Sequence, residues 1–235
     1  MTYRLLKTFE GLFAGEPYLH RRPHLGDLVA VQLFEDVYSL GRSSKFVSRV
    51  DRGLSVVNVQ NQPRGMKRRR GDGSFGEIVP NVAPLTKTGC TVKRGPIATI
   101  EIGVEVKIVM KAMLKQIDRV ITVLKGQAAH FRSYRGDPIC VGVVGVNHAT
   151  HCTTYEGNRA YPTDGKHFPH PISEAQETTR RLRELAAPDF DEFIILPFEA
   201  TNEPPYPFTW ISDDAVVLDY GAALARICQA YEARV

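Results

Sequence analysis

Apolar side chains recur along this chain with two different periods, one helical and one strand-like, and their succession lays out the expected elements. Over residues 26–40 the spacing is helical, and Gly41 follows as a glycine stop. A second short helix is expected over 43–51. Residues 54–59, rich in β-branched side chains, predict a strand. Residues 61–76 hold four glycines, a proline and five basic residues, and predict a loop. The longest strand signal covers 96–109. A helix is expected over 109–131, where Met110, Met113, Leu114, Ile117, Val120, Ile121 and Leu124 form one apolar stripe. The run PICVGVVGV at 138–146 suits a strand buried on both faces. Residues 147–172 have turn composition. A polar helix over 173–185 would take Ser173 as its N-cap. Residues 193–198 predict another buried strand, and 220–233 a terminal helix. No internal repeat is present. Strands alternate with helices, so the expected fold class is α/β: a central mixed β-sheet flanked by helices. One domain over residues 1–235 is expected, with its core at about 26–200 and its terminal helix at 220–233.

Composition narrows this picture a little. A chain of 235 residues can bury one sizeable core. Its 43% hydrophobic and 24% charged residues exclude disorder over the whole length. No run approaches the ~20 apolar residues of a membrane span, and no signal-peptide core follows Met1. A membrane partner is therefore not expected, and the cytoplasm is the expected compartment. The cysteines Cys90, Cys140, Cys152 and Cys228 form no CxxC pair, and Cys140 and Cys228 sit in apolar runs as reduced core residues do. The net charge of +4 permits a polyanionic partner without requiring one.

Candidate chemistry is concentrated in the segment from Ile100 to Ile108, IEIGVEVKI. Every even position is aliphatic, so one strand face is pure core. The other face carries Glu101, Gly103, Glu105 and Lys107. Burying such charges without partners would cost several kcal/mol, roughly, so pairing, solvent or a bound cation must compensate. A carboxylate two residues before a lysine suits phosphodiester hydrolysis. The carboxylate holds a hard divalent cation, and the lysine orients water or steadies developing negative charge.

On Glu105-Val106-Lys107, placed on an apolar strand that runs directly into a helix, the chain resembles the PD-(D/E)xK nuclease superfamily, which includes many restriction endonucleases. The resemblance covers residues 26–146 as an order of elements and 101–108 as a motif. It implies a restriction-endonuclease-like core in which the motif lies on the second strand of a hairpin. The first strand of that hairpin would supply an upstream acid. Glu77 lies where that strand is expected and is favoured, with Asp72 second. Glu101 is a further candidate ligand, and Glu35 a candidate acid on an early helix. Gln116 resembles a glutamine that some branches carry after the motif. The implied activity is a metal-dependent DNA endonuclease of restriction or phage defence. Its implied metal is Mg2+, with Mn2+ as a substitute, and its implied partners are double-stranded DNA and a second copy of the chain.

Other signals extend or compete with this reading. Arg64, Lys67, Arg68, Arg69 and Arg70 form the densest basic run, suited to phosphate contacts, and Lys93 and Arg94 would extend it. His148, His151, Cys152, His167 and His170 cluster within 23 residues. Their spacing fits no zinc finger, so a structural zinc is not expected. Tyr155, Tyr161, Tyr206, Phe208 and Trp210 would stack on bases or, more commonly, anchor loops to the core. Two alternatives follow: a non-catalytic nucleic-acid-binding protein of the same fold, and a zinc-dependent α/β enzyme using the histidine-rich loop.

Overall fold

The computed structural model describes residues 3–20, 22, 24–59, 71–134 and 136–235. Among these, the chain begins with three helices, α1 (Arg4–Glu10), α2 (Leu25–Leu40) and α3 (Ser44–Asp51). Strands β1 (Ser55–Asn58), β2 (Gly73–Glu77), β3 (Arg94–Gly95) and β4 (Ile102–Val109) come next. Then follow α4 (Met113–Arg132), β5 (Ile139–Asn147), β6 (Thr153–Glu156) and β7 (Arg159–Pro162). The chain finishes with α5 (Pro171–Arg181), β8 (Glu192–Glu199), β9 (Thr209–Trp210) and α6 (Asp213–Arg234).

Seven strands form one mixed sheet in the order β3-β1-β2-β4-β5-β8-β9. β4, β5 and β8 run parallel at its centre, while β2 is antiparallel to both β1 and β4. α4 makes the crossover from β4 to β5, as a parallel pair requires. The α/β class and the mixed sheet flanked by helices are thus as expected. Apolar side chains of α1, α2, α3 and α6 cover one sheet face together with Ile102, Val104, Val141 and Val143. Those of α4 and α5 cover the other, with Cys140, Val144 and Val146. All nine residues of β5 are buried, which is why its sequence reads as a continuous apolar run. No helix among the described residues is long and apolar enough to cross a membrane.

Several sequence expectations require correction, among them the terminal helix, which starts at Asp213, and Met110, which precedes α4 and packs in the other core. The glycine-rich stretch ends in a strand, because Gly73 and its neighbours form β2. A Cβ on Gly73 would lie 2.9 Å from the Ala30 side chain, so the glycine serves close helix–strand approach rather than a turn. β4 starts at Ile102, and the residues before it make only isolated bridges. The histidine-rich stretch contains a hairpin, β6–β7. Ser173 lies inside α5, where its hydroxyl donates to the His170 carbonyl at 2.6 Å.

Long-range carboxylates cap helices that lack local caps. Asp36 accepts from the Arg4 and Leu5 N–H groups at 2.7 and 2.9 Å, at the start of α1. Glu174 reaches across from α5 to the Met113 and Leu114 N–H groups, at 2.5 and 3.4 Å. α4 has no side-chain N-cap of its own, so this bond fastens two helices of one layer. Glu174→Ala should therefore destabilise the fold by about 1–3 kcal/mol, read by chemical denaturation. A loss indistinguishable from zero would remove that role.

Candidate functional site

β2 and β4 pair from Phe75↔Ile102 to Gly73↔Val104 and then part. One further step of the same register brings Asp72 opposite Glu105. There the Asp72 carboxylate takes the place of a strand, since Val106 N–H donates to Asp72 Oδ2 at 2.7 Å. Lys107 Nζ donates to the Glu105 carboxylate and, at 3.1 Å, to the Val106 carbonyl. The same ammonium stands 3.8 Å from Asp72 Oδ2. Glu105 is the deep member, with a side chain 7% exposed, against 25% for Asp72 and 28% for Lys107. Burial first, and then the Asp72 charge, push the Glu105 carboxyl up to about 7, although Lys107 pulls it back.

Local sequence explains why these groups meet. The alternation of β4 sends Ile102, Val104 and Val106 into one core and leaves Glu105 and Lys107 on the opposite face. α2 approaches Asp72 through Gly26, where a Cβ would lie 2.6 Å from Asp72 Cγ. The start of a helix favours nearby negative charge, so α2 supports the carboxylate electrostatically. Asp27 follows in the same turn, hydrogen-bonded to His24 at 2.9 Å. Sequence reasoning named Glu35 on this helix and not Asp27.

The other expected site residues lie elsewhere. Glu77 is exposed at the far end of β2, about 17 Å from Asp72 at roughly 3.4 Å per residue. The preference for Glu77 over Asp72 is thus reversed. Glu35 is buried and accepts from the Thr91 and Val92 N–H groups at 2.9 and 3.2 Å, with Arg4 3.6 Å and Arg94 4.0 Å away. Glu101 precedes β4, where the alternation has not begun. It is bound by Arg49 at 2.7 Å, Ser55 at 2.8 Å and the Tyr231 hydroxyl. Arg94 is buried beside Glu35 and Cys90 rather than offered to a partner, and Lys93 is half-buried. Gln116 is exposed on α4. Arg64, Lys67, Arg68, Arg69 and Arg70 lie outside the described residues.

The histidine-rich segment does not converge. His151 faces Glu203 at 3.5 Å, His167 bonds Asp164 at 2.8 Å, and His170 bonds Thr163 at 3.0 Å. Among the described residues no group of three or more His, Cys, Asp or Glu side chains gathers as a metal cage. The zinc alternative therefore has no geometry behind it. Phe208 and Trp210 pack with Phe9 and against each other, as loop anchors. Two carboxylates at a partly exposed corner are nonetheless the donor set magnesium uses when water and substrate phosphate complete its shell. In this structure the Lys107 ammonium supplies the positive charge between them. No family model, curated protein or solved structure matches this chain.

Two measurements test this geometry. Folded Glu105 holds its proton up to about 7, against 4.5 for the ordinary carboxyl. The folded state thus binds more protons across that window, and stability falls as pH rises through it. Glu105→Gln should raise stability above neutral pH by about 1–3 kcal/mol and add nothing near the bottom of the window. An equal gain at both ends would refute the burial argument. Gly26→Ala would set a Cβ against Asp72 and push its carboxylate off the Val106 N–H, so the fold should lose about 1–3 kcal/mol in chemical denaturation. Unchanged stability would show that α2 does not position the carboxylate.

Proposed function

We propose that the protein is a magnesium-dependent DNA endonuclease with a restriction-endonuclease-like core. The observation that carries this reading is the convergence of Asp72, Glu105 and Lys107 where β2 parts from β4. The wider arrangement agrees with what the resemblance implies. Glu105 and Lys107 lie on β4, which pairs antiparallel with β2 across a long connection that holds β3; an acid stands just before β2, and β4 leads into α4. Asp72 and Glu105 would hold the cation, with manganese able to replace magnesium. A cation there supplies charge withdrawal from a phosphodiester and activation of water.

The chain's own groups do the rest. Val106 N–H fixes one Asp72 oxygen, so that carboxylate meets a ligand in a set orientation. Glu105, pressed by burial and by Asp72, gains from any cation that replaces its proton. Lys107, on the same strand face as Glu105, would donate to a phosphoryl oxygen or to the attacking water. Its half-open position lets it reach both a buried carboxylate and a substrate at the surface. Duplex DNA is the assigned substrate. A homodimer and a role in restriction or defence belong to the same proposal, through the resemblance.

The test is cleavage of mixed plasmid and phage DNA in magnesium or manganese by the wild type and by Asp72→Ala, Glu105→Ala and Lys107→Ala. Each substitution should reduce cutting by at least about a hundredfold, while Glu77→Ala leaves it unchanged. Cutting that survives all three would place the chemistry elsewhere. A wild type that binds DNA but never cuts would favour the non-catalytic binding protein.

A further inference from the structure

The β6–β7 hairpin belongs neither to the main sheet nor to the Asp72 corner. Its two strands pair only with each other, in a separate two-stranded sheet. All four residues of β7 are exposed, and β6 is fully buried only at Thr153. A lone ribbon of this kind is marginal by itself and adds little to a core. Register pairs Thr153 with Pro162 and Glu156 with Arg159. Alternation then divides it into an anchored face and an open one. On the anchored face the Thr153 hydroxyl donates to Glu203 at 2.6 Å, and Tyr155 is hydrogen-bonded to Tyr206. On the open face lie Thr154, Glu156, Arg159 and Tyr161. Gly157, at φ 57°, makes the turn and leaves Asn158 and Arg159 exposed at the tip.

The ribbon is tied to the strand that carries the candidate site. Lys111, just past the end of β4, donates to the Tyr161 carbonyl. Its ammonium lies 5.0 Å from the Phe168 ring centroid, and that of Lys115 lies 5.8 Å away. Lys111 is four residues beyond Lys107, roughly 13 Å at about 3.3 Å per residue. Over residues 111, 115 and 153–168 the charges are Lys111, Lys115, Arg159 and Lys166 against Glu156 and Asp164. Asp164 is already engaged by the N–H groups of Lys166, His167 and Phe168. With Glu203, which the Thr153 hydroxyl engages, the four cations stand against three acids, so the surface keeps a small excess of cations beside an open ribbon.

We infer that the β6–β7 ribbon enters the major groove of duplex DNA, where Asn158 and Arg159 read base edges while Lys115, beside the ribbon's tie at Lys111, meets a flanking phosphate. The inference rests on the nuclease reading for its choice of partner. A major groove about 12 Å wide admits a two-stranded ribbon. Arginine pairs bidentately with guanine and asparagine with adenine, so the tip has the chemistry for base readout. Lysine ammonium groups serve as point charges for phosphate. A second copy of the chain, adding a strand to the open edge of β7, is the competing occupant.

The test uses a pool of short duplexes with a randomised centre, bound with calcium in place of magnesium, recovered and sequenced. The wild type should enrich a defined sequence. Asn158→Ala/Arg159→Ala should lose about tenfold of that preference at one or two base pairs, yet bind the unselected pool within about threefold of the wild type. Lys115→Ala should bind every sequence more weakly, with the salt slope reduced by about one. The assignment is overturned if the tip variant enriches the wild-type sequence undiminished, or if the wild type enriches none. It is also overturned if the tip variant alters only the sedimentation of the protein, which would make β7 a subunit contact. A wild type that selects a sequence but never cuts DNA in magnesium would sink the nuclease reading and leave the ribbon assignment standing.

Discussion

The hydrogen bond from Val106 N–H to Asp72 is the constraint on which the candidate site depends. A strand that loses its neighbour inside a sheet exposes donors that must find acceptors. β4 loses β2 beyond Val104, and the acceptor it finds is a carboxylate rather than another backbone carbonyl. That exchange brings a second negative charge beside Glu105, which is already buried. Lys107 then compensates from the same strand face. The sheet thus brings a pair of acids and their counter-charge together at one point.

Buried carboxylates elsewhere in the molecule show what a purely structural acid looks like. Asp36 and Glu35 each accept two backbone N–H bonds, Glu174 caps α4, and Glu101 is held by Arg49, Ser55 and Tyr231. Those partners belong to the fold and satisfy the charge where it lies. Glu105 differs, because it is met by a lysine at a partly exposed corner and faced by a second carboxylate. Such an arrangement shifts a carboxyl's titration, and shifts of that kind gather at functional sites.

Much of this was legible in the residues. The period-two pattern of β4 located Glu105 and Lys107, and the apolar run of β5 marked the centre of the sheet. What was missed has physical causes. β2 was hidden because its glycines serve close packing against α2, and glycine in sequence reads first as a turn. Asp72 ranked below Glu77 for the same reason, since an acid in an apparent loop has no assigned strand end. Glu101 shared the strand alternation of Glu105, and Glu35 held the early-helix place that the resemblance implies, but their fate was decided by Arg49, Tyr231 and the backbone at Thr91, none of which is near them in sequence. The β6–β7 hairpin packs so little that its exposed strand carries no hydrophobic alternation to read.

The central claim is that Asp72 and Glu105 form a divalent-cation site beside Lys107. The most direct measurement is an anomalous difference map from crystals of the protein soaked in manganese. The account predicts a single strong peak between the Asp72 and Glu105 carboxylates. A map with no peak there would contradict it.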